Sequence, residues 1–109
     1  MAETRKVLGQ SNPSAATLTD LYTVPGSTEA IVSTLTVVNR SSTATSFRVS
    51  VAIAGAANDN KQYLYYDLPI AGNDTFAATF GVTLAATDKV RVYATLATLS
   101  FSLFGIELT

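Results

Sequence analysis

Apolar and polar residues alternate with a period of two along much of the chain. Phe47, Val49, Val51 and Ile53 alternate with Arg48, Ser50 and Ala52, and Val90, Val92, Ala94 and Leu96 alternate with Arg91, Tyr93 and Thr95. Successive side chains of a strand point to opposite faces, so each run predicts a strand with one face on a core and one in solvent. Leu99, Phe101 and Leu103 alternate with Ser100 and Ser102; Phe104, Ile106 and Leu108 then continue in the opposite phase around Gly105 and Glu107. A slip of one residue would turn a whole face outward, so this phase change predicts a β-bulge near Leu103 to Gly105.

Turn-forming residues separate the runs: Ser11-Asn12-Pro13-Ser14, Pro25-Gly26-Ser27, Arg40 to Thr43, Gly55 to Asn60, Ala71-Gly72-Asn73-Asp74 and Ala86-Thr87-Asp88. They delimit about eight strands: Arg5–Gln10, Leu18–Val24, Ala30–Asn39, Ser46–Ala54, Gln62–Leu68, Thr75–Phe80, Lys89–Leu96 and Leu99–Leu108. No segment has the periodicity of an amphipathic helix. The expectation is an all-β, two-sheet antiparallel sandwich of jelly-roll or immunoglobulin-like topology. Residues 1–13, with the apolar pair Val7-Leu8, are expected to form an N-terminal arm or edge strand, the arm pairing with a neighbouring subunit. Residues 14–109 are expected to form the sandwich domain.

At 109 residues the chain makes one domain, burying about two thirds of its unfolded surface. Seven basic and eight acidic residues give a net charge of −1, which favours neither nucleic acid nor an anionic membrane. Arg5-Lys6 reads as a solvated pair near a terminus. Met1 to Lys6 is polar with no apolar segment behind it, so no secretory leader is expected. The longest uncharged segment, Val92 to Ile106, is too short for a membrane span. Charged residues make up only 14% of the chain, against about 25% in ordinary soluble domains. Either part of the surface is covered in the working state, or the surface is simply neutral and rich in Thr, Ser and Ala.

There are no histidines and no cysteines, which removes Ser-His-Asp and Cys-His chemistry, thiolate metal sites and disulfides. No Asp or Glu sits in a motif that nominates it for catalysis, and the glycines form no phosphate loop. Asn58-Asp59-Asn60 and Asn73-Asp74 carry oxygen ligands of the kind calcium takes, but without the spacing of a binding loop, and turn formation explains them. The expectation is a protein that is not an enzyme and holds no metal and no cofactor.

Three of the five tyrosines stand together in "KQYLYYDLPIAGNDTF", Lys61 to Phe76. Strict alternation would place Tyr63 and Tyr65 on one face and Leu64, Tyr66 and Leu68 on the other. Tyrosine buries a large area while keeping a hydroxyl to hydrogen-bond, and it is enriched at interfaces. Tyr63 and Tyr65, with Val7 and Leu8, are therefore interface candidates, and Tyr66 is expected in the core. A central strand covered on both faces within the domain, or a sugar platform, would also account for the cluster.

The segment "LYTVPGSTEAIVSTLTVVNRSSTATSFRVSVAIAG", Leu21 to Gly55, resembles a module of tailed-bacteriophage structural proteins. The whole chain, from "KVLGQSNP" to "DKVRVYATLATLSFSLFGIEL", is similar to small phage virion proteins, in particular capsid decoration (cement) proteins. The turn Pro25-Gly26-Ser27 departs from the more usual Pro-Ala-Gly. The resemblance implies a protein on the capsid surface of the virion that binds the major capsid protein and stabilises the assembled head. It also implies a homo-oligomer, with a homotrimer expected. The alternative is a tail or fibre β-module that binds a host-surface glycan or protein.

Overall fold

The computed structural model describes residues 2–109, apart from the side chain of Phe80. Eight strands carry the fold: β1 (Glu3–Ser11), β2 (Thr19–Thr23), β3 (Glu29–Asn39), β4 (Thr45–Ala52), β5 (Tyr63–Ile70), β6 (Thr75–Leu84), β7 (Lys89–Ala94) and β8 (Leu99–Leu108). Two 3₁₀ turns, Ile53–Gly55 and Asn60–Gln62, lie between β4 and β5.

The strands form two antiparallel sheets of four, in the orders β1-β8-β3-β6 (sheet A) and β2-β7-β4-β5 (sheet B). β4 pairs with β5, β3 with β6, β2 with β7 and β1 with β8. The chain is thus one long antiparallel ribbon wound over itself, closed by the β3–β8 and β4–β7 pairings. This is the jelly-roll order. An immunoglobulin-like sandwich would set the first two strands side by side in one sheet; here β1 and β2 belong to different sheets.

The core lies between the sheets, where the period-two runs predict it. Phe47, Phe101, Leu35, Leu99, Leu103, Val37, Val49 and Val92 are all under 2% exposed. The Phe47 ring meets Phe76 at 5.4 Å and Phe101 at 6.0 Å between centroids. Val90 is buried too, and Val51 packs against the cluster at its margin. Ile53, expected to continue the inward set, is 77% exposed. Its strand ends at Ala52, and Ala54 at φ 52° turns the chain away.

The structure also corrects the reading of β8. This strand alternates without interruption: Leu99, Phe101, Leu103, Gly105 and Glu107 face inward, and Phe104, Ile106 and Leu108 face outward. The bulges sit on its two neighbours instead. Val7 and Gly9 of β1 oppose the consecutive Phe104 and Leu103, leaving Leu8 as the extra residue, and Val32 and Thr34 of β3 oppose Gly105 and Phe104, leaving Ser33 as the extra residue. Gly105 lies between them because there is no room for more. A Cβ there would collide with the Ile31 carbonyl oxygen and touch the Leu8 side chain.

Within the segment expected to be an arm or edge strand, Glu3–Ser11 forms β1 and pairs with β8 of its own chain, and Leu8 reaches the core. Reciprocal backbone bonds between Ala2 and Thr109, at 2.6 and 2.8 Å, extend that pairing.

Candidate interaction surfaces

The outer face of sheet A divides in two. Directly paired residues share a face, so the register builds it row by row. Val7, Phe104, Thr34 and Thr79 form one row, and Arg5, Ile106, Ile31 and Thr83 the next; Leu108 follows between Glu3 and Glu29. Val7, Ile31, Phe104, Ile106 and Leu108 therefore make a continuous apolar cluster on the outside of the sandwich. Val7 is 47% exposed, and the others are only half-buried. The rest of the face is mostly Ser and Thr, with Gln10, Val38 and Ala77. The phase of β8 creates this cluster: had the strand slipped as its sequence suggests, Phe104, Ile106 and Leu108 would be core. Contiguous outward apolar side chains are a feature of contact surfaces.

The outer face of sheet B carries a different group. Arg48 on β4 lies between the rings of Tyr66 on β5 and Tyr93 on β7, with its guanidinium carbon 4.2 and 4.4 Å from their centroids. Asp67 holds the same guanidinium through Nε at 2.7 Å and Nη2 at 3.3 Å. Tyr63 packs edge-on against Tyr66 at 4.9 Å, and its hydroxyl accepts a hydrogen bond from Asn58 at 3.2 Å. Each side chain is held by at least one other, so little rotamer freedom is left to lose on contact with a partner. Tyr and Arg are also the residues enriched where binding energy concentrates.

Two bulges on β5 assemble this group and separate the tyrosines differently from the expectation. Val49 and Phe47 of β4 oppose Tyr65 and Leu68, so β5 has one more residue than its partner there; the same holds between Ser50–Val49 and Tyr63–Tyr65. Asp67 takes the left-handed conformation at φ 50°, which Asp tolerates better than most residues. Tyr65 and Leu68 both turn to the core as a result. The Tyr65 ring meets Phe76 at 5.4 Å and Phe47 at 6.4 Å. Tyr66, expected in the core, is 58% exposed, and Leu64 beside it is 46% exposed. Tyr63 and Tyr65 thus lie on opposite faces. Of the four interface candidates, Val7 and Tyr63 stand on outer faces, whereas Leu8 is a core residue and Tyr65 packs against the core. Arg48, Tyr66, Tyr93, Phe104 and Ile106 are not among the interface candidates that the sequence nominates. Arg48 and Tyr93 were legible as outward positions, but only the fold sets them on either side of Tyr66.

The polar turn residues have structural partners. Asp59 accepts from the Lys61 N–H at 3.1 Å and its own N–H donates to Gln62 Oε1 at 3.3 Å, a capping box for the second 3₁₀ turn. Asp74 accepts from the Thr75 N–H at 2.8 Å, and Asn73 adopts φ 55°. Buried Asp88 accepts from the Ala54 and Ala85 N–H groups at 2.8 and 2.9 Å and so ties two loops together. Among the described residues no group of three acidic, His or Cys side chains is placed to share a metal ion, and no helix is long and apolar enough to cross a membrane.

No protein-family model matches the chain, and neither the curated proteins nor the solved structures compared with it show a detectable relative.

Proposed function

We propose that this chain is a non-enzymatic structural protein of a tailed-bacteriophage virion, a decoration protein that binds the major capsid protein on the assembled head. The observation that carries the reading is the apolar cluster of Val7, Ile31, Phe104, Ile106 and Leu108 on the outside of sheet A. A protein that works alone in water gains nothing from placing five apolar side chains there; one that is covered in its working state does. The low charge count, the resemblance from Leu21 to Gly55 and the jelly roll, a fold found in viral capsid domains, support the same reading, though a fold by itself does not name a function. A protein that binds only the assembled shell stabilises that shell by mass action, and weak contacts repeated over a lattice add avidity.

The test has two arms. Band quantification of purified particles should give a stoichiometry comparable to that of the major capsid protein; a trace band would overturn the assignment. Cosedimentation with heads lacking the protein should succeed for the wild type and fail for the Ile106→Thr/Leu108→Thr variant, which keeps its fold because both residues point away from the core.

A second reading, a tail or fibre module that binds a host-surface glycan, is favoured by one feature: a shallow pocket of about 390 Å³ lined by Asn60, Tyr63 and Tyr66. It predicts few copies per particle and retention on a glycan surface that Tyr66→Ala abolishes.

A further inference from the structure

The four edge strands of the sandwich are not protected alike. β1 carries Glu3, Arg5 and Lys6. β2 is five residues long, holds Asp20 and is irregular against β7. β5 holds Asp67 and Pro69 and is bulged twice. Charge, shortness, proline and bulges are the devices that keep an open edge from pairing with another chain. β6 is ten residues, TFAATFGVTL, with neither charge nor proline. It has β3 on one side and, among the described residues, no strand on the other. Its irregularity lies beyond Thr79, where three steps of β6 oppose two of β3; from Thr75 to Thr79 it pairs with Val38 to Thr34 without a break. The Thr75 N–H is taken by Asp74 Oδ1 at 2.8 Å; among the described residues no loop backbone hydrogen bond reaches residues 75–79.

We infer that β6 joins two copies of this chain, edge to edge and antiparallel about a dyad at Ala77, so that the two A sheets become one of eight strands. An open row of N–H and C=O groups selects its own occupant, an extended strand. Several observations favour a second copy in that role. A dyad opposes each residue to its mirror position: Thr75 meets Thr79, Phe76 meets Ala78 and Ala77 meets itself. Threonine pairs are favourable across strands, and no like charges coincide. Thr75, Ala77 and Thr79 are exposed and small, so nothing obstructs the approach. Phe76 and Tyr65, half-buried at this side of the sandwich, gain cover from the neighbour. The arrangement departs from the trimer that the resemblance implies, in which β6 would have to meet a different strand.

Sedimentation equilibrium over a concentration series tests this on the isolated protein. The wild type should form a dimer. Ala77→Lys and Ala77→Glu each set like charges opposite one another and should raise the dissociation constant roughly tenfold or more, with an unchanged circular dichroism spectrum because residue 77 is exposed. An equimolar mixture of the two variants should recover the dimer. Should a residue 77 variant fail to fold, Thr75→Lys/Thr79→Lys should weaken the dimer and Thr75→Glu/Thr79→Lys should not. A wild type that stays monomeric or forms trimers, variants that associate as well as the wild type, or a mixture that does not recover would each overturn the inference.

Discussion

Tyr22 Oη donates a 2.6 Å hydrogen bond to Glu107 Oε2 and so ties β2 of sheet B to β8 of sheet A through the interior. Lys6 Nζ reaches the other carboxylate oxygen at 3.2 Å. The Tyr22 hydrogen bond, opposed by burial and helped by the hydrogen bond and charge of Lys6, holds the Glu107 carboxyl below its ordinary range. Burial, then Glu107, pushes the Tyr22 phenol well above its ordinary value of 10.0.

The signs give a stability window. A depressed carboxylate contributes stability that is present above its unfolded pKa, near 4.5 for Glu107, and is lost as pH falls through the lower folded value. Asp20, held down by Lys89 and Arg91, acts in the same direction. A raised phenol contributes stability that is complete below its unfolded pKa of 10.0 and lost as pH rises through the folded value. Denaturation midpoints measured against pH should therefore be flat between about pH 5 and 9 and fall on both sides. Tyr22→Phe should cost about 1–3 kcal/mol at neutral pH and make the alkaline fall shallower. An alkaline limb that is unchanged in Tyr22→Phe would mean that the bond does not couple to folding.

Gly105→Ala should be among the most damaging small substitutions in the chain. The added methyl collides with the Ile31 carbonyl oxygen, which is backbone, and with Leu8. Gly26 has nothing near the same position, so Gly26→Ala serves as the control. Thermal denaturation should show a loss of about 2 kcal/mol or more for Gly105→Ala, as for other overpacked sites, and a much smaller change for the control.

Phe47→Ala and Phe101→Ala should each cost about 3–5 kcal/mol, the sum of lost transfer energy and the cavity left behind. Against a total of about 5–15 kcal/mol either variant is near the edge of folding. The two rings touch, so the double variant should lose less than the sum of the singles, and a denaturant titration of the set measures the difference.

Where both sides of a strand have plain alternation, the fold was legible. β4 and β7 carry Phe47, Val49, Val90 and Val92 inward as their pattern predicts, and β8 does so from Leu99 to Leu103. Legibility failed where one strand answers to another's irregularity. Phe104, Ile106 and Leu108 resemble a second core run, and only the extra residues on β1 and β3 show that they point outward. Glu107 faces inward, against the phase read for this run, and there it meets Tyr22 and Lys6 from elements far away in sequence. The β5 tyrosines were misplaced because alternation is a property of a regular strand, and two bulges, one on each side of Tyr65, make this one irregular. The interaction surfaces were the least legible part, since each is assembled from three strands that share no local motif.

The tyrosines of β5 give the sharpest separation between folding and contact. Tyr65 packs on Phe47 and Phe76, so Tyr65→Ala should cost roughly 2–4 kcal/mol through lost burial and a cavity at the margin of the core. Tyr66 is exposed and covers one side of Arg48, so Tyr66→Ala removes a surface cation–π contact and should cost about 1 kcal/mol or less. The consequences for a partner should run in reverse. Tyr66, Tyr93 and Arg48 present a rigid aromatic and cationic group; truncating an anchor of that type at an interface centre typically costs 2 kcal/mol or more, a loss of about thirtyfold in affinity. If sheet B shares the proposed contact with heads, Tyr66→Ala should be a well-folded protein with weakened binding to them, and Tyr65→Ala a destabilised protein whose remaining folded fraction binds normally. Melting temperatures and head cosedimentation measured on the two variants decide the matter. If Tyr66→Ala binds like the wild type, the Arg48 group is ornament to sheet B, and the contact surface is the apolar face of sheet A alone.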